Sequence, residues 1–195
     1  YHSAGLGILS YFGTVLREKY PEQEFLVSLT TFNHEITTHM DRAKASAMQE
    51  LYVSYAGSQK AQAYTPDGMT ALYDAIGHSV THLEKKIRKE IERDEATAVV
   101  VILTDGWENS SQEYTYEQVK GLIGRLEKTD SWTFSYLGAT PDAVDIAVNL
   151  NIKAHNALYF DKKTFKKTYQ DLNANLDDYA SEKQAYRKPK DFLRK

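Results

Sequence analysis

Two segments of the sequence place residues that could bind a ligand at the ends of predicted elements. The first is Thr104-Asp105-Gly106, directly after the apolar run at residues 98–103. Ligands of open α/β sheets bind at the carboxyl ends of strands, and a glycine lets backbone approach the ligand closely. Asp105 is therefore a candidate ligand-binding carboxylate. The alternative is structural, because Asp-Gly is a common turn pair.

The second segment is Gly68-Met69-Thr70-Ala71-Leu72-Tyr73-Asp74, at the start of a predicted helix. The hydroxyl of Thr70 could bind a ligand, although a threonine at this position is ordinarily an N-cap. Asp74, one turn further along, is more commonly a structural hydrogen-bonding residue than a ligand. Each segment alone indicates little, and the combination of the two in one chain carries the functional interpretation.

The elements that would position these segments alternate between short β-rich runs and amphipathic helices. This alternation predicts an α/β fold with a doubly wound, mostly parallel sheet and helices on both faces. Helices are predicted at 1–20, 70–91, 115–126, 140–150 and 161–180, and strands at 25–32, 36–40, 98–103, 132–137 and 157–160. Residues 43–51 contain helix formers, but the segment up to residue 64 is ambiguous.

Local signals support several of these elements. Apolar residues at helical spacing predict the long helix after Thr70, and Thr115-x-x-Gln118 predicts a capping box. Thr140-Pro141 and Asp161 predict the starts of the last two helices. The apolar stripe of the long helix consists of Leu72, Ile76, Val80, Leu83, Ile87 and Ile91.

The composition indicates one ordinary globular domain, which we place at residues 1–180, followed by a polar tail at 181–195. The chain has 195 residues, a net charge of −3 and a pI near 6.1, so neither nucleic acid nor a membrane is an expected partner. There is no cysteine, which excludes disulfides, thiolate zinc sites and cysteine nucleophiles and favours a reducing compartment. No apolar run long enough to span a bilayer and no signal segment is visible, so we expect a cytoplasmic protein.

The order of the motifs resembles a known family. Residues 68–76, Gly-Met-Thr-Ala-Leu-Tyr-Asp-Ala-Ile, and residues 101–109, Val-Ile-Leu-Thr-Asp-Gly-x-x-Asn, are similar to the second and third metal-site motifs of von Willebrand factor A domains. The bacterial, intracellular-type members are the most similar. Residues 132–138 also resemble the next strand of that family, and the resemblance covers residues 5–160.

The resemblance implies a non-enzymatic interaction module with a metal-ion-dependent adhesion site. Mg²⁺ would be held by hydroxyl and carboxylate oxygens, with Mn²⁺ or Ca²⁺ as alternatives, and a partner protein would supply an acidic side chain. Carried over by position, the metal ligands are Thr70 and Asp105. The supporting residues of the metal loops are Gly68, Asp74, Thr104, Gly106 and Asn109.

The first motif of the family, Asp-x-Ser-x-Ser, is not found in Tyr1-His2-Ser3-Ala4-Gly5. In the family the strand before that motif lies between the strands predicted here at 25–32 and 98–103. Removing an interior strand would leave two unpaired edges, so we expect this strand and its metal loop to precede residue 1. We expect Mg²⁺ binding only if that upstream motif is present. The alternative is a degenerate member that never had them. Direct pairing between the two flanking strands would contradict this topology.

Two other functions stay open. A metal-free scaffold of the same fold would use aromatic residues beside the metal loop, and Trp107 and Tyr114 are the candidate partner-binding residues. Packing within the domain is the alternative use of these rings. A hydrolase or phosphoryl-transfer enzyme could use Asp105, but neither a phosphate loop nor a Gly-x-Ser-x-Gly elbow occurs. His78 and His82 form an i,i+4 pair without the adjacent glutamate of zinc proteases, and we place them on the polar flank of the long helix.

Overall fold

The computed structural model describes residues 17–44, 52–53, 63–64, 69–161 and 165–184, and all structural statements concern these residues. The α-helices are α1 Arg17–Lys19, α2 Leu72–Glu92, α3 Tyr116–Glu127, α4 Ala143–Asn149 and α5 Phe165–Gln184. The strands are β1 Leu26–Phe32, β2 Ile36–Lys44, β3 Tyr52–Val53, β4 Ala63–Tyr64, β5 Ala98–Thr104, β6 Trp132–Gly138 and β7 Ala157–Tyr159.

A three-stranded parallel sheet, in the order β5-β6-β7, forms the centre of the described structure. Strand β5 pairs with β6 from Ala98–Trp132 to Thr104–Gly138, and β7 pairs with the last three residues of β6. Every residue of β6 is buried, as expected for a strand paired on both sides and covered on both faces. The α/β class and the parallel sheet expected from the sequence are confirmed.

The larger core lies between one face of this sheet and helices α2, α3 and α4. Alternate residues of β5 and β6 face these helices because side chains of a strand alternate between the two faces. The stripe predicted for α2 is confirmed, with four of its members buried and Leu83 and Ile91 partly buried against the core. The buried members of the cluster include Leu72, Ile76, Val80, Ile87, Ala98, Ile102, Val119, Ile123, Phe134 and Tyr136.

A second, smaller core covers the opposite face of the sheet. Helix α5 contributes Leu172, Leu176 and Ala180, and Tyr20 packs with them. Val99 of β5 and Leu158 of β7 are packed against this cluster from the sheet. The helices therefore flank the parallel sheet on both faces. None of the described helices combines the length and the apolar character needed to cross a lipid bilayer.

Strands β1 and β2 form an antiparallel hairpin, interrupted by irregularities around Leu29 and its neighbours. The hairpin belongs to a different sheet from β5, and β1 packs against helix α2. Arg42 of β2 donates to Glu90 of α2 at 3.1 Å, and the His82 ring lies 2.9 Å from Asp41. Among the described strands β1 and β5 do not pair, so the pairing that would contradict the expected topology is not found.

Several predicted boundaries need correction. Strand β2 continues to Lys44, so residues 43 and 44 are extended rather than helical. Helix α4 begins at Ala143 with Asp142 at the N-cap position, and Thr140 does not cap it. Helix α5 continues to Gln184, past the expected end of the domain at residue 180. The predicted first helix lies mostly outside the described residues, as does the segment that joins Asp161 to α5.

Candidate functional site

The loop after β5 and the start of α2 are in direct contact, which brings the two motifs together. A Cβ added to Gly106 would lie 2.7 Å from the hydroxyl oxygen of Thr70, so only a glycine admits this hydroxyl without a shift. Asn109 fixes the contact from both sides. Its side-chain oxygen accepts from the Thr70 N–H at 2.8 Å, and its own N–H donates to the Thr70 carbonyl at 3.0 Å.

The N-cap role considered for Thr70 is wrong. Helix α2 begins at Leu72, the N-cap position is Ala71, and no side chain at that position caps the helix. The hydroxyl of Thr70 therefore does not cap α2 but lies against the loop that carries Asp105. Thr70 is half-buried and Asp105 is exposed, so the contact is at the surface of the domain.

The first amides of α2 are instead capped by the loop that follows β5. The Tyr73 N–H donates to a carboxylate oxygen of Glu108 and to the hydroxyl of Ser111, both at 3.0 Å. The Asp74 N–H donates to the same hydroxyl at 3.1 Å. Glu108 and Ser111 were not predicted from the sequence because capping signals are read from neighbouring residues, whereas these caps come from a distant loop.

Asp74 has a structural role that its position alone did not settle. Its carboxylate accepts from the backbone N–H groups of Gln112, Glu113 and Tyr114 at 2.6 to 2.9 Å. Burial acts to raise the pKa of Asp74, but these three hydrogen bonds to the ionised form outweigh it, and the pKa lies below the ordinary 3.8. The carboxylate therefore anchors the β5–α3 connection to α2 as an anion.

Of the two remaining predicted loop residues, the structure describes Thr104. Thr104 is buried, and its hydroxyl bonds within the loop to the N–H and carbonyl of Gly106. The Ala139 N–H donates to the Thr104 carbonyl, which ties the end of β5 to the end of β6. Gly68 lies outside the described residues.

The two aromatic candidates for partner contact differ in their surroundings. Trp107 is 59% exposed, and its indole N–H donates to both carboxylate oxygens of Asp142 at 3.1 Å. This hydrogen bond, together with one from Thr140, lowers the pKa of Asp142. Tyr114 packs instead on Gly77, where an added Cβ would lie 2.3 Å from the ring. Trp107 thus presents an exposed aromatic surface two residues after Asp105 in the chain, whereas the Tyr114 ring serves packing.

The two histidines of α2 lie on its polar flank, as predicted from the sequence. The rings of His78 and His82 are 2.9 Å from Glu113 and Asp41 respectively. Both side chains are about half exposed. Each histidine faces a different carboxylate, which does not resemble two ligands of one zinc ion.

A buried tyrosine lies close to the site but offers no base. The Tyr136 hydroxyl is fully buried and makes no hydrogen bond within the described part of the chain. Burial raises the pKa of Tyr136 well above its ordinary value, and nearby Asp142 and Tyr73 add to the effect. The hydroxyl therefore stays protonated at neutral pH and cannot abstract a proton there.

The oxygen atoms of Thr70 and Asp105 are of the kind that hard divalent cations prefer. Two donors are only part of a metal shell. Within the described residues there is no group of three histidine, cysteine, aspartate or glutamate side chains that could hold a metal ion. Comparison of the chain with family models, with curated proteins and with solved structures found no match.

Proposed function

We propose that this chain is a protein-interaction module of the von Willebrand factor A type, which binds an acidic side chain of a partner through Mg²⁺. The proposal rests on the motif resemblance and on one observation above all. Segments that lie more than thirty residues apart meet so that the hydroxyl of Thr70 lies against Gly106, next to Asp105. In this proposal the fold is a doubly wound sheet in which a further strand lies between β1 and β5.

The described residues offer oxygen atoms of the type that a hard cation prefers, but too few of them to complete its coordination. Thr70 would contribute a hydroxyl and Asp105 a carboxylate, while Asn109 and Gly106 would keep the two loops in contact. A cation that prefers near-octahedral oxygen coordination needs further donors, from water and from residues outside those described. The metal would supply positive charge toward a partner carboxylate. Trp107 would lie at the rim of the contact as an exposed aromatic residue.

Thermal unfolding of the full-length protein with and without Mg²⁺ tests the proposal. A ligand that binds only the folded state stabilises it by about 2.7 kcal/mol at a hundredfold excess over Kd. We expect Mg²⁺ to raise the unfolding temperature of the wild type, and we expect Thr70→Val and Asp105→Asn to lose most of this rise. Asp171→Asn is the matched control because this exposed aspartate lies on α5, on the other face of the sheet.

The outcomes separate the proposal from its alternatives. A Mg²⁺ response that is equal in all four proteins would show binding elsewhere and would overturn the assignment of Thr70 and Asp105. No response in the wild type at millimolar Mg²⁺ would favour a metal-free scaffold of the same fold. That scaffold would bind its partner through the exposed Trp107 surface.

A further inference from the structure

The side chain of Glu108 accepts more hydrogen bonds than a surface glutamate requires. One carboxylate oxygen accepts from the N–H groups of Ser110 and Ser111 at 2.9 and 2.8 Å. The other accepts from the Tyr73 N–H at 3.0 Å and from the Ser111 hydroxyl at 2.7 Å. Four donors thus converge on one carboxylate, and one of them is a first-turn amide of α2. A negative charge at this end of a helix is also favoured by the helix dipole.

Asp74 attaches the same two segments in the opposite direction, from α2 to the loop. Glu108 extends from the loop to an amide of α2, whereas Asp74 extends from α2 to three amides further along the same loop. The Ser111 hydroxyl lies between the two attachments, since it accepts from the Tyr73 and Asp74 amides and donates to Glu108. The loop is therefore attached to α2 along its length by the carboxylates of Glu108 and Asp74 and by the hydroxyl of Ser111.

The position of Glu108 in the chain gives this attachment a consequence for the candidate site. Glu108 lies two residues after Gly106 and directly before Asn109, the residue that holds Thr70 by two hydrogen bonds. The segment that carries Asp105 is anchored on one side by β5 and on the other by Glu108. Release of Glu108 would free Asn109 and with it the contact between Gly106 and Thr70.

We propose that Glu108 is a positioning residue that holds the loop of Asp105–Asn109 against the N-terminus of α2 and so keeps Asp105 beside Thr70. This proposal rests on the proposed function for its metal, but the positioning itself can be measured without metal. A glutamine at this position would keep the size of the side chain. The side-chain nitrogen of that glutamine is itself a hydrogen-bond donor. It would replace one of the two accepting oxygens of Glu108, so the hydrogen bonds to that oxygen would be lost.

Hydrogen exchange of the metal-free, full-length protein tests the positioning. In Glu108→Gln we expect the amides of Tyr73, Ser110 and Ser111 to exchange at least about tenfold faster than in the wild type. Glu84→Gln is the matched control because Glu84, like Glu108, carries a partly buried carboxylate. It lies on α2 and is paired with Arg125 at 2.7 and 2.8 Å. The control variant should leave these three amides unchanged.

Mg²⁺ affinity of the same proteins then tests the consequence for the site. Loss of an outer residue that orients metal ligands ordinarily weakens affinity by about 10- to 100-fold, and we expect that range for Glu108→Gln but no change for Glu84→Gln. If Glu108→Gln does not fold, Ser111→Ala is the milder variant because it removes only the bridging hydroxyl. It should also increase the amide exchange rates and weaken the Mg²⁺ affinity.

Unchanged exchange at the three amides in Glu108→Gln would overturn the proposal, whatever the metal does. Faster exchange with wild-type Mg²⁺ affinity would also overturn it, because the loop would then be held for stability alone. Faster exchange in a protein whose wild type binds no Mg²⁺ would retain Glu108 as the anchor of the loop and reject the proposed function. The two failures are therefore distinguishable.

Discussion

At the scale of single residues, the contact between Gly106 and Thr70 connects sequence to candidate function. The resemblance predicted Thr70, Asp105, Gly106 and Asn109 as parts of one site, and the structure brings the two loops together through three of them. The resemblance could not predict Glu108 and Ser111, the residues whose side chains accept the hydrogen bonds that hold the loop. Their partners on α2 are amides 35 to 38 residues away, which no local pattern of side chains reveals.

Replacing Gly106 by alanine should disturb the site directly. The new Cβ would lie 2.7 Å from the Thr70 hydroxyl, which must then move. We expect a loss of about 1 to 3 kcal/mol in the free energy of unfolding, the usual range for overpacking, together with weaker Mg²⁺ stabilisation. Gly121→Ala is the control, since nothing lies within 4 Å of its Cβ and alanine favours a helix. Equal effects of the two substitutions in urea unfolding would contradict the contact.

Replacing Asp74 by asparagine should destabilise the protein in a pH-dependent manner. Because the pKa of Asp74 in the folded protein lies below 3.8, its ionised form stabilises the fold above that pH. The contribution is lost as the pH falls through the lowered folded value. We expect Asp74→Asn to cost about 2 to 3 kcal/mol at pH 7, as for hydrogen bonds to a charged group. In urea unfolding the difference should shrink below about pH 4. A difference that stays constant down to pH 2 would contradict this role.

At the scale of elements, periodicity and local caps predicted most of what the structure shows. The stripe of α2 and the capping box between Thr115 and Gln118 are confirmed, and the predicted boundaries of β5 and β6 each shift by one residue at the carboxyl end. The start of α4 was misplaced because a Thr-Pro pair resembles a cap, whereas Asp142 occupies that position. The extension of β2 was missed because helix formers at 43–51 indicated a helix, although the strand continues through residue 44.

The packing of Tyr114 on α2 gives a test at this scale. An alanine in place of Gly77 should favour the helix by about 1 kcal/mol through its propensity. The ring of Tyr114 lies where the new Cβ must be placed, at 2.3 Å, so the helix or the ring has to shift. We expect a net loss of about 1 to 3 kcal/mol in the free energy of unfolding. Rescue by Tyr114→Ala in a double-mutant cycle would support the contact, and additive effects would contradict it.

At the scale of the whole molecule, two of the three sheets that the described residues form pack on a shared helix. The hairpin packs against α2, and the parallel sheet packs against the same helix through its core face. The sequence could predict the parallel sheet because β5 is a continuous apolar run and because strands alternate with amphipathic helices. It could not predict how the hairpin and the sheet are related, because that depends on a pairing between distant segments rather than on local pattern.

Amide exchange of β5 tests the proposed topology. In the described structure β5 pairs only with β6, so alternate amides of β5 point away from that partner. If a further strand lies between β1 and β5, we expect every amide from Val99 to Leu103 to be protected. Fast exchange at alternate positions of β5 would show that this strand is a true edge and would contradict a doubly wound sheet.

The measurement that tests the central claim most directly is the location of a bound cation. In NMR spectra of the isotope-labelled, full-length protein, substoichiometric Mn²⁺ broadens the amide resonances near its site. We predict broadening centred on Thr70, Asp105 and Gly106, relieved by excess Mg²⁺ and lost in Asp105→Asn. The amides of Ile123 and Leu126 in α3 should serve as the unaffected reference. Broadening that is centred elsewhere, or that persists in Asp105→Asn, would contradict the account.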